Sequence, residues 1–275
     1  KENGWRATLD LLWMLQYTPC GPDKDAIGAG STTNIKFLNN ACHPEIYYGI
    51  DHTSKHTIVG IGADFTSLLP RQTRMEKMVF QGKDTTCTVK AKDRINATSP
   101  VFFFQYKNDK HFKIMSKFVY GQNSAHLNMP SGYGLTEVDE ETGECKYTAL
   151  RLISTWINPV WSIKSKNTGN LAKVSLFAGY QKNLGAKDGM IEEYIKYSKL
   201  QHKGGKTLDN CFRICPTYTY SIKNFDMSFE YELTGATYGK EEKNDEGKWL
   251  GNVDGSQPTN TVLNNRTCIM VKYNF

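Results

Sequence analysis

Two groups of residues have types and spacings that could bind a metal ion. His52 and His56 stand four residues apart across a short turn, and their rings could converge on one ion. The carboxylates from Glu137 to Glu144 could hold a divalent cation, because hard cations take oxygen ligands. A solvated turn and a solvated acidic loop are the simpler interpretations of these two groups. We therefore predict no metal site and no cofactor.

Catalytic groups are no better defined. No Ser/His/Asp set, phosphate-binding loop or Cys/His pair has a recognisable spacing. His126 or Asp51 could serve a reaction at the rim of a loop, but no second residue supports either of them. The seven cysteines form no zinc-binding spacing, so free thiols are expected, although Cys20 and Cys42 could pair. We predict that the protein is not an enzyme.

The composition fits one β domain. The 275 residues are 39% hydrophobic and 12% aromatic, and their mean hydropathy is −0.53. No run approaches the length of about eighteen apolar residues that a membrane-spanning helix needs. The net charge of +6 is spread along the chain without a Lys/Arg block, which argues against nucleic-acid binding. We predict a single domain over residues 1–275.

The elements that would position these residues are strands, because apolar residues recur with a period of two. In the first segment, Trp5 and Leu9 share one face, and Arg6 and Asp10 share the other. The same pattern predicts ten strands, which are Trp5–Tyr17, Glu45–Asp51, Lys55–Phe65, Thr98–Lys107, His111–Gly121, Tyr147–Ser162, Leu171–Asn183, Leu208–Ile222, Asp226–Tyr238 and Asn265–Phe275.

The connections between these strands are alternately long and short. The short ones are hairpin turns such as Asn108-Asp109-Lys110, and the five long ones are polar. Up-and-down membrane barrels have short turns at one membrane face and long loops at the other. The sequence thus predicts an all-β fold, an antiparallel up-and-down transmembrane β-barrel. Within the long loops, we expect a short strand near Met75–Phe80, and helical turns could form in Thr33–Asn40 and Met190–Tyr197.

The last predicted strand strengthens this interpretation. Ile269, Val271, Tyr273 and Phe275 alternate with more polar residues, and the pattern resembles the C-terminal assembly signal of outer-membrane β-barrels. The whole chain is similar to the porin-like outer-membrane barrels of Gram-negative bacteria, within a dicarboxylate-porin-like class. The matching pieces include Asn39–Ala41, Gly60–Phe65, Tyr120–Asn123, Gly132–Gly134, Ser154–Trp156 and Gly179–Tyr180.

The resemblance implies a larger parent protein. Members of the class begin with a signal peptide and carry further N-terminal strands, whereas Lys1–Gly4 has the composition of a turn. We therefore expect this chain to lack N-terminal strands. We also expect its sheet, when isolated, to be open, with the strand that begins at Trp5 at an unpaired edge.

A barrel whose apolar face looks at lipid turns its polar residues inward. The predicted pore-lining residues are Lys113, Lys117, Arg151, Arg213, Glu230, Glu232, Arg266 and Lys272, in a lumen that also receives Arg6, Asp10 and Asp64. The excess of cations predicts a weak anion preference, and the resemblance implies small carboxylates as solutes. Alternatively, Glu230 and Glu232 pair across strands with Arg213 or Lys272, and the pore is then unselective.

The predicted function is passive diffusion of small hydrophilic solutes through a channel in the outer membrane of a Gram-negative bacterium. The resemblance implies that its partners are outer-membrane lipid, lipopolysaccharide and the barrel assembly machinery, and it is compatible with a homo-oligomer. Two alternatives stay open. One is a soluble or surface β-barrel that binds a ligand, and the other is a structural outer-membrane barrel without an open pore.

Overall fold

The computed structural model describes residues 3–13, 43–108, 111–166, 168–191, 201–202 and 206–273. Within them the fold is all-β and antiparallel, with a 3-10 turn at Ala125–Leu127. No helix in this part of the chain is long and apolar enough to cross a membrane. Two segments for which the sequence allows helical turns lie outside the described residues, namely Thr33–Asn40 and the part of Met190–Tyr197 beyond Ile191.

The strands are numbered in chain order. They are β1 (Gly4–Leu12), β2 (Glu45–Thr53), β3 (Thr57–Leu68), β4 (Thr73–Phe80), β5 (Lys83–Lys90), β6 (Ile95–Lys107), β7 (Phe112–Gln122), β8 (Gly132–Val138), β9 (Cys145–Lys164), β10 (Leu171–Gly185), β11 (Gln201–His202), β12 (Lys206–Ile222), β13 (Phe225–Lys243), β14 (Trp249–Val253) and β15 (Asn260–Tyr273).

One 13-stranded sheet contains almost all of these strands. Its main path runs β1-β2-β3-β6-β7-β9-β10-β12-β13, and β15 pairs with the first part of β13. The strands β8, β11 and β14 pair with the outer ends of β9, β12 and β13. The hairpin β4–β5 forms a separate two-stranded sheet. The main path plus β15 contains the ten predicted strands in their predicted succession.

The main sheet is open. Among the described residues, β1 pairs with β2 alone and β15 pairs with β13 alone. This arrangement agrees with the expected open sheet, with the strand that begins at Trp5 at one edge. The end of that predicted strand, residues 14–17, and Phe275 of the last one lie outside the described residues.

The alternation of connections is confirmed. Short turns at 54–56, 108–111, 165–170 and 223–224 separate long connections at 13–44, 69–94, 123–144, 186–205 and 244–259. Because successive main strands are antiparallel, the strand ends that flank the short turns lie at one end of the sheet, and the strand ends that flank the long connections lie at the other. The long connections contain more strands than expected. Only the first strand of the β4–β5 hairpin was predicted, and β8, β11 and β14 were missed.

The register divides the main sheet into two faces, because directly opposite residues on paired strands share a face. One row of partners consists of Arg6, Asp51, Gly60, Phe103, Lys117, Trp156, Gly179, Arg213, Thr234 and Asn264. The adjacent row, on the other face, consists of Ala7, Ile50, Ile61, Phe102, Phe118, Thr155, Tyr180, Phe212, Gly235 and Leu263. We call them the polar face and the apolar face.

Buried hydrophobic residues cluster at the long-loop end of the sheet. They form three small clusters, around Tyr133, Leu150 and Leu135. The first cluster joins Leu68 and Ile95 to Tyr133 of β8. These clusters therefore stabilise the long loops, while large hydrophobic side chains of the apolar face stay exposed along the main strands.

A buried ion pair closes the base of the β4–β5 hairpin within the long connection 69–94. The side chains of Arg71 and Asp93, on either side of the β4–β5 hairpin, are 3% and 5% exposed and contact each other. Arg71 also donates a hydrogen bond to the carbonyl oxygen of Gly143, and the Cys145 backbone N–H donates to Asp93 Oδ2 at 3.2 Å. The base of the hairpin is thereby fastened to the turn between β8 and β9.

Candidate functional site

Seven of the eight predicted pore-lining residues share the polar face. They are Lys113, Lys117, Arg213, Glu230, Glu232, Arg266 and Lys272. Arg6, Asp10 and Asp64 lie on the same face, as predicted. Arg6 donates a hydrogen bond to Asp51 at 2.9 Å, so Asp51, a catalytic candidate from the sequence, serves as the partner of an arginine.

The structure places Arg151 on the opposite face, so its predicted inward position is wrong. Its register partner is Gln122, which gives Arg151 the same face as Tyr120 and Ile153. Its guanidinium donates hydrogen bonds to the carbonyl oxygens of Gly185 at 3.2 Å and Ala186 at 2.9 Å. The inward position follows from the expectation that a barrel turns its polar residues away from lipid. At the long-loop end of β9, however, the backbone carbonyls of residues 184–186 satisfy this cation on the apolar face.

Two arginines on the polar face share one acid. The Glu232 side chain is 11% exposed, and its Oε2 lies 3.4 Å from Arg213 Nε and 3.3 Å from Arg266 Nη2. Arg266 also lies 3.8 Å from Glu230 Oε1. The alternative of cross-strand pairing with Arg213 is therefore confirmed, whereas Lys272 is placed opposite Asp226 by the register. Two cations and two anions balance each other in this cluster.

The lysines of β7 have no such acid opposite them in the sheet. Lys117 is exposed, and the residues opposite it on the two adjacent strands are Phe103 and Trp156. Lys113 lies opposite Lys107. Further along this face a cavity of about 520 Å³ is bordered by residues of β9, β10, β12 and β13, among them Trp156 and Arg213. The polar face thus offers cationic groups and a space large enough for a small polar molecule.

One connection folds over the polar face. Residues 123–131, which follow β7, form what we call the inward turn, and its buried members are Asn123, Ser124, Ala125, His126 and Ser131. Ser124 Oγ lies 3.2 Å from Ser99 Oγ, and Ser131 Oγ donates to the Leu150 carbonyl at 2.7 Å. Asn128 borders the cavity described above. The inward turn therefore occupies part of the space in front of the sheet.

The inward turn brings three ionisable side chains together. His126 Nε2 lies 3.0 Å from Glu45 Oε2, and their side chains are 4% and 3% exposed. Asp64 completes a group whose potential ligand atoms all lie within 4.8 Å of one another. The sequence indicated that Asp64 points inward, but it gave no signal for the group. The period of two assigns Glu45 and Asp64 to the polar face because both lie on strands. It makes no prediction for His126, because His126 lies in a loop.

The two metal-binding groups considered from sequence are not assembled. His52 packs on Trp5, with ring centroids 4.9 Å apart, while His56 Nδ1 lies 3.0 Å from the Lys107 carbonyl oxygen.

In the acidic loop, Glu137 pairs with Lys146 at 2.8 Å and Glu144 pairs with Arg74 at 2.7 Å. Backbone N–H groups of Thr142 and Glu141 donate to Asp139, which holds the pKa of this carboxyl below its usual value. These acids therefore organise the loop.

The cysteines that the structure describes are free thiols, as expected, namely Cys87, Cys145, Cys211, Cys215 and Cys268. Cys20 and Cys42, the proposed pair, lie outside the described residues. A scan against protein-family models found no match, and searches of curated proteins and of solved structures found no significant similarity either. The site must therefore be interpreted from its own chemistry.

Proposed function

We propose that this sheet is the wall of a transmembrane β-barrel in the outer membrane of a Gram-negative bacterium. In this proposal the barrel is a porin-like channel for the passive diffusion of small hydrophilic solutes. The observation that carries the proposal is the division of all ten main strands into an apolar and a polar face. A membrane barrel needs both faces, because one contacts hydrocarbon and the other lines water.

The apolar face supports contact with lipid. Leu9 on β1, Ile61 on β3 and Ile269 on β15 are 70%, 58% and 71% exposed. β1 and β15 are the edge strands of the sheet, and β3 is the third strand counted from β1. Exposed apolar patches of this extent usually mark a protein or membrane contact. Ile269, Val271 and Tyr273 share this face on β15, as an assembly signal read by the barrel assembly machinery would require.

Aromatic side chains line the short-turn end of the sheet. Tyr106 and Phe112 have ring centroids 6.4 Å apart, and Phe112 and Trp161 have centroids 5.2 Å apart. Trp5 lies at the same end on β1. Membrane barrels carry aromatic girdles of this kind where strands meet the lipid headgroups. The short-turn end would accordingly face the periplasm, and the long loops would face lipopolysaccharide.

The polar face supports a weak anion preference. Since Glu230 and Glu232 balance Arg213 and Arg266, the preference rests mainly on lysines such as Lys117. Basic side chains along a water-filled pore raise the local concentration of anions. Small carboxylates are the solutes that we propose.

The test combines gel mobility with conductance. The protein, folded in detergent, should migrate differently before and after boiling and should produce stepwise currents in a planar bilayer. Reversal potentials in a salt gradient should show anion preference, and Lys117→Glu and Arg213→Glu should reduce it. Solubility without detergent, together with identical mobility before and after boiling, would favour a soluble ligand-binding barrel and refute the proposal.

The inward turn favours a second candidate, a structural outer-membrane barrel without an open pore. Its residues fill space in front of β2, β3 and β6 through contacts such as His126–Glu45 and Ser124–Ser99. A protein with heat-dependent mobility that produces no current in the bilayer would support this candidate over the channel.

A further inference from the structure

We propose that Glu45, Asp64 and His126 bind one divalent metal ion of the Zn²⁺ type. The proposal uses only this cluster, and it holds whether or not the barrel conducts solutes. It differs from the prediction made from sequence, which considered other residues and expected no metal site.

The donor atoms suit zinc. One imidazole nitrogen and two carboxylate oxygens are typical zinc ligands, whereas Ca²⁺ and Mg²⁺ prefer oxygen alone. In a tetrahedral zinc site the ligand atoms lie about 3.4 Å apart, given bonds of about 2.0–2.1 Å. Glu45 Oε2 and His126 Nε2 are 3.0 Å apart, and all three groups lie within 4.8 Å. Small side-chain adjustments would therefore complete three ligands and leave the fourth position for water.

The cluster contains buried atoms that call for a partner. Glu45 Oε2, Asp64 Oδ1 and His126 Nε2 are all inaccessible to solvent and face one another, with Glu45 Oε2 3.0 Å from His126 Nε2, and no well-aligned hydrogen bond to another group in the described part of the chain satisfies them. Buried polar atoms of this kind are rare in native proteins, and a bound ion is one explanation for them. Two carboxylates this close repel each other, and His126 is the basic side chain beside them. A divalent cation would neutralise both.

The surroundings hold the ligands in place. Asp64 lies opposite Tyr47 and Ser99 in the sheet. The Tyr47 ring lies so close to Gly49 and Gly62 that an added Cβ would come within 2.7 and 2.5 Å of its hydroxyl oxygen. On the other side, the inward turn holds His126 through the bonds of Ser124 and Ser131. A site built on such a support needs little reorganisation to bind an ion.

A second group of potential ligands lacks this character. Cys215, Glu230 and Glu232 also come within 4.8 Å of one another. However, Arg213 and Arg266 already contact these two acids, so their charge is compensated. The comparison singles out the cluster at His126. An ion bound there would join the inward turn to β2 and β3.

The experiment is a titration of the full chain, folded in detergent and stripped with chelator, with Zn²⁺ by calorimetry and with Co²⁺ by visible absorption. We expect one ion per chain. Glu45→Gln, Asp64→Asn and His126→Gln should each weaken binding by at least about tenfold. His56→Gln is the matched control, because its ring already contacts the Lys107 carbonyl, and it should bind like the unchanged protein.

Two results would overturn the proposal. One is the absence of saturable binding by the unchanged protein, and the other is binding that the three variants do not weaken. If the Gln and Asn variants fail to fold, His126→Cys decides. A thiolate ligand at this position would add a strong sulfur-to-cobalt charge-transfer band, whereas an unaltered Co²⁺ spectrum would show that residue 126 does not ligate the ion.

Discussion

Replacing the shared acid of the arginine cluster, Glu232→Gln, tests the arrangement of the polar face most directly. Glu232 Oε2 lies 3.4 Å from Arg213 and 3.3 Å from Arg266. The two arginine side chains are 54% and 62% exposed, so the dielectric constant of water applies, and each contact contributes about 1 kcal/mol. We therefore expect Glu232→Gln to lower the free energy of unfolding by about 2 kcal/mol.

The chain supplies a matched control in Glu230→Gln. The Glu230 carboxylate contacts only Arg266 among the described cations, at 3.8 Å, and its side chain is 34% exposed. Its loss should cost about 1 kcal/mol or less. Urea unfolding followed by tryptophan fluorescence, in the detergent that keeps the protein folded, measures both variants.

A double-mutant cycle isolates the contact itself. Combining Glu232→Gln with Arg266→Gln should give a coupling energy of about 1 kcal/mol. If Glu232→Gln destabilises the protein no more than Glu230→Gln does, or if the coupling is zero, the shared-acid arrangement does not stabilise the sheet.

Three further outcomes are expected. Arg151→Glu should leave the reversal potential unchanged while Lys117→Glu shifts it towards cations, because the two side chains lie on opposite faces; an equal shift in both would contradict the register. Arg71→Met should leave the buried Asp93 uncompensated and cost about 3–5 kcal/mol, seen as faster proteolysis of the β4–β5 hairpin than in the unchanged protein. A charged, membrane-impermeant thiol reagent should modify the exposed Cys268 and reduce the single-channel current, and an unchanged current would remove β15 from the pore wall.

The main strands could be predicted because their two faces differ in polarity. In β3, for example, Val59 and Ile61 alternate with Gly60 and Asp64, and the observed faces follow that parity. The β4–β5 hairpin does not provide this signal. Its second strand, β5, is largely exposed on both sides and contains mostly polar residues, so no hydrophobic period marks it.

The composition of the polar face could be predicted better than its contacts. The alternation of side chains along each strand predicts that Arg213 and Glu232 share one face. Their pairing could also be expected, because their strands β12 and β13 are neighbours in the sheet. The approach of His126 to Glu45 could not be predicted in this way. It depends on how a loop folds back over strands that are distant in sequence, and the loop has no periodicity to indicate its path.

The open edges of the sheet determine how the chain behaves in solution. Along β1 and β15 the outer backbone groups have no neighbouring strand among the described residues, and both strands are exposed along almost their whole length. Such edges act as templates for strands of other molecules, and the result is concentration-dependent self-association. Dilute samples, or additives that cover strand edges, are therefore needed before light scattering can report the size of a single particle.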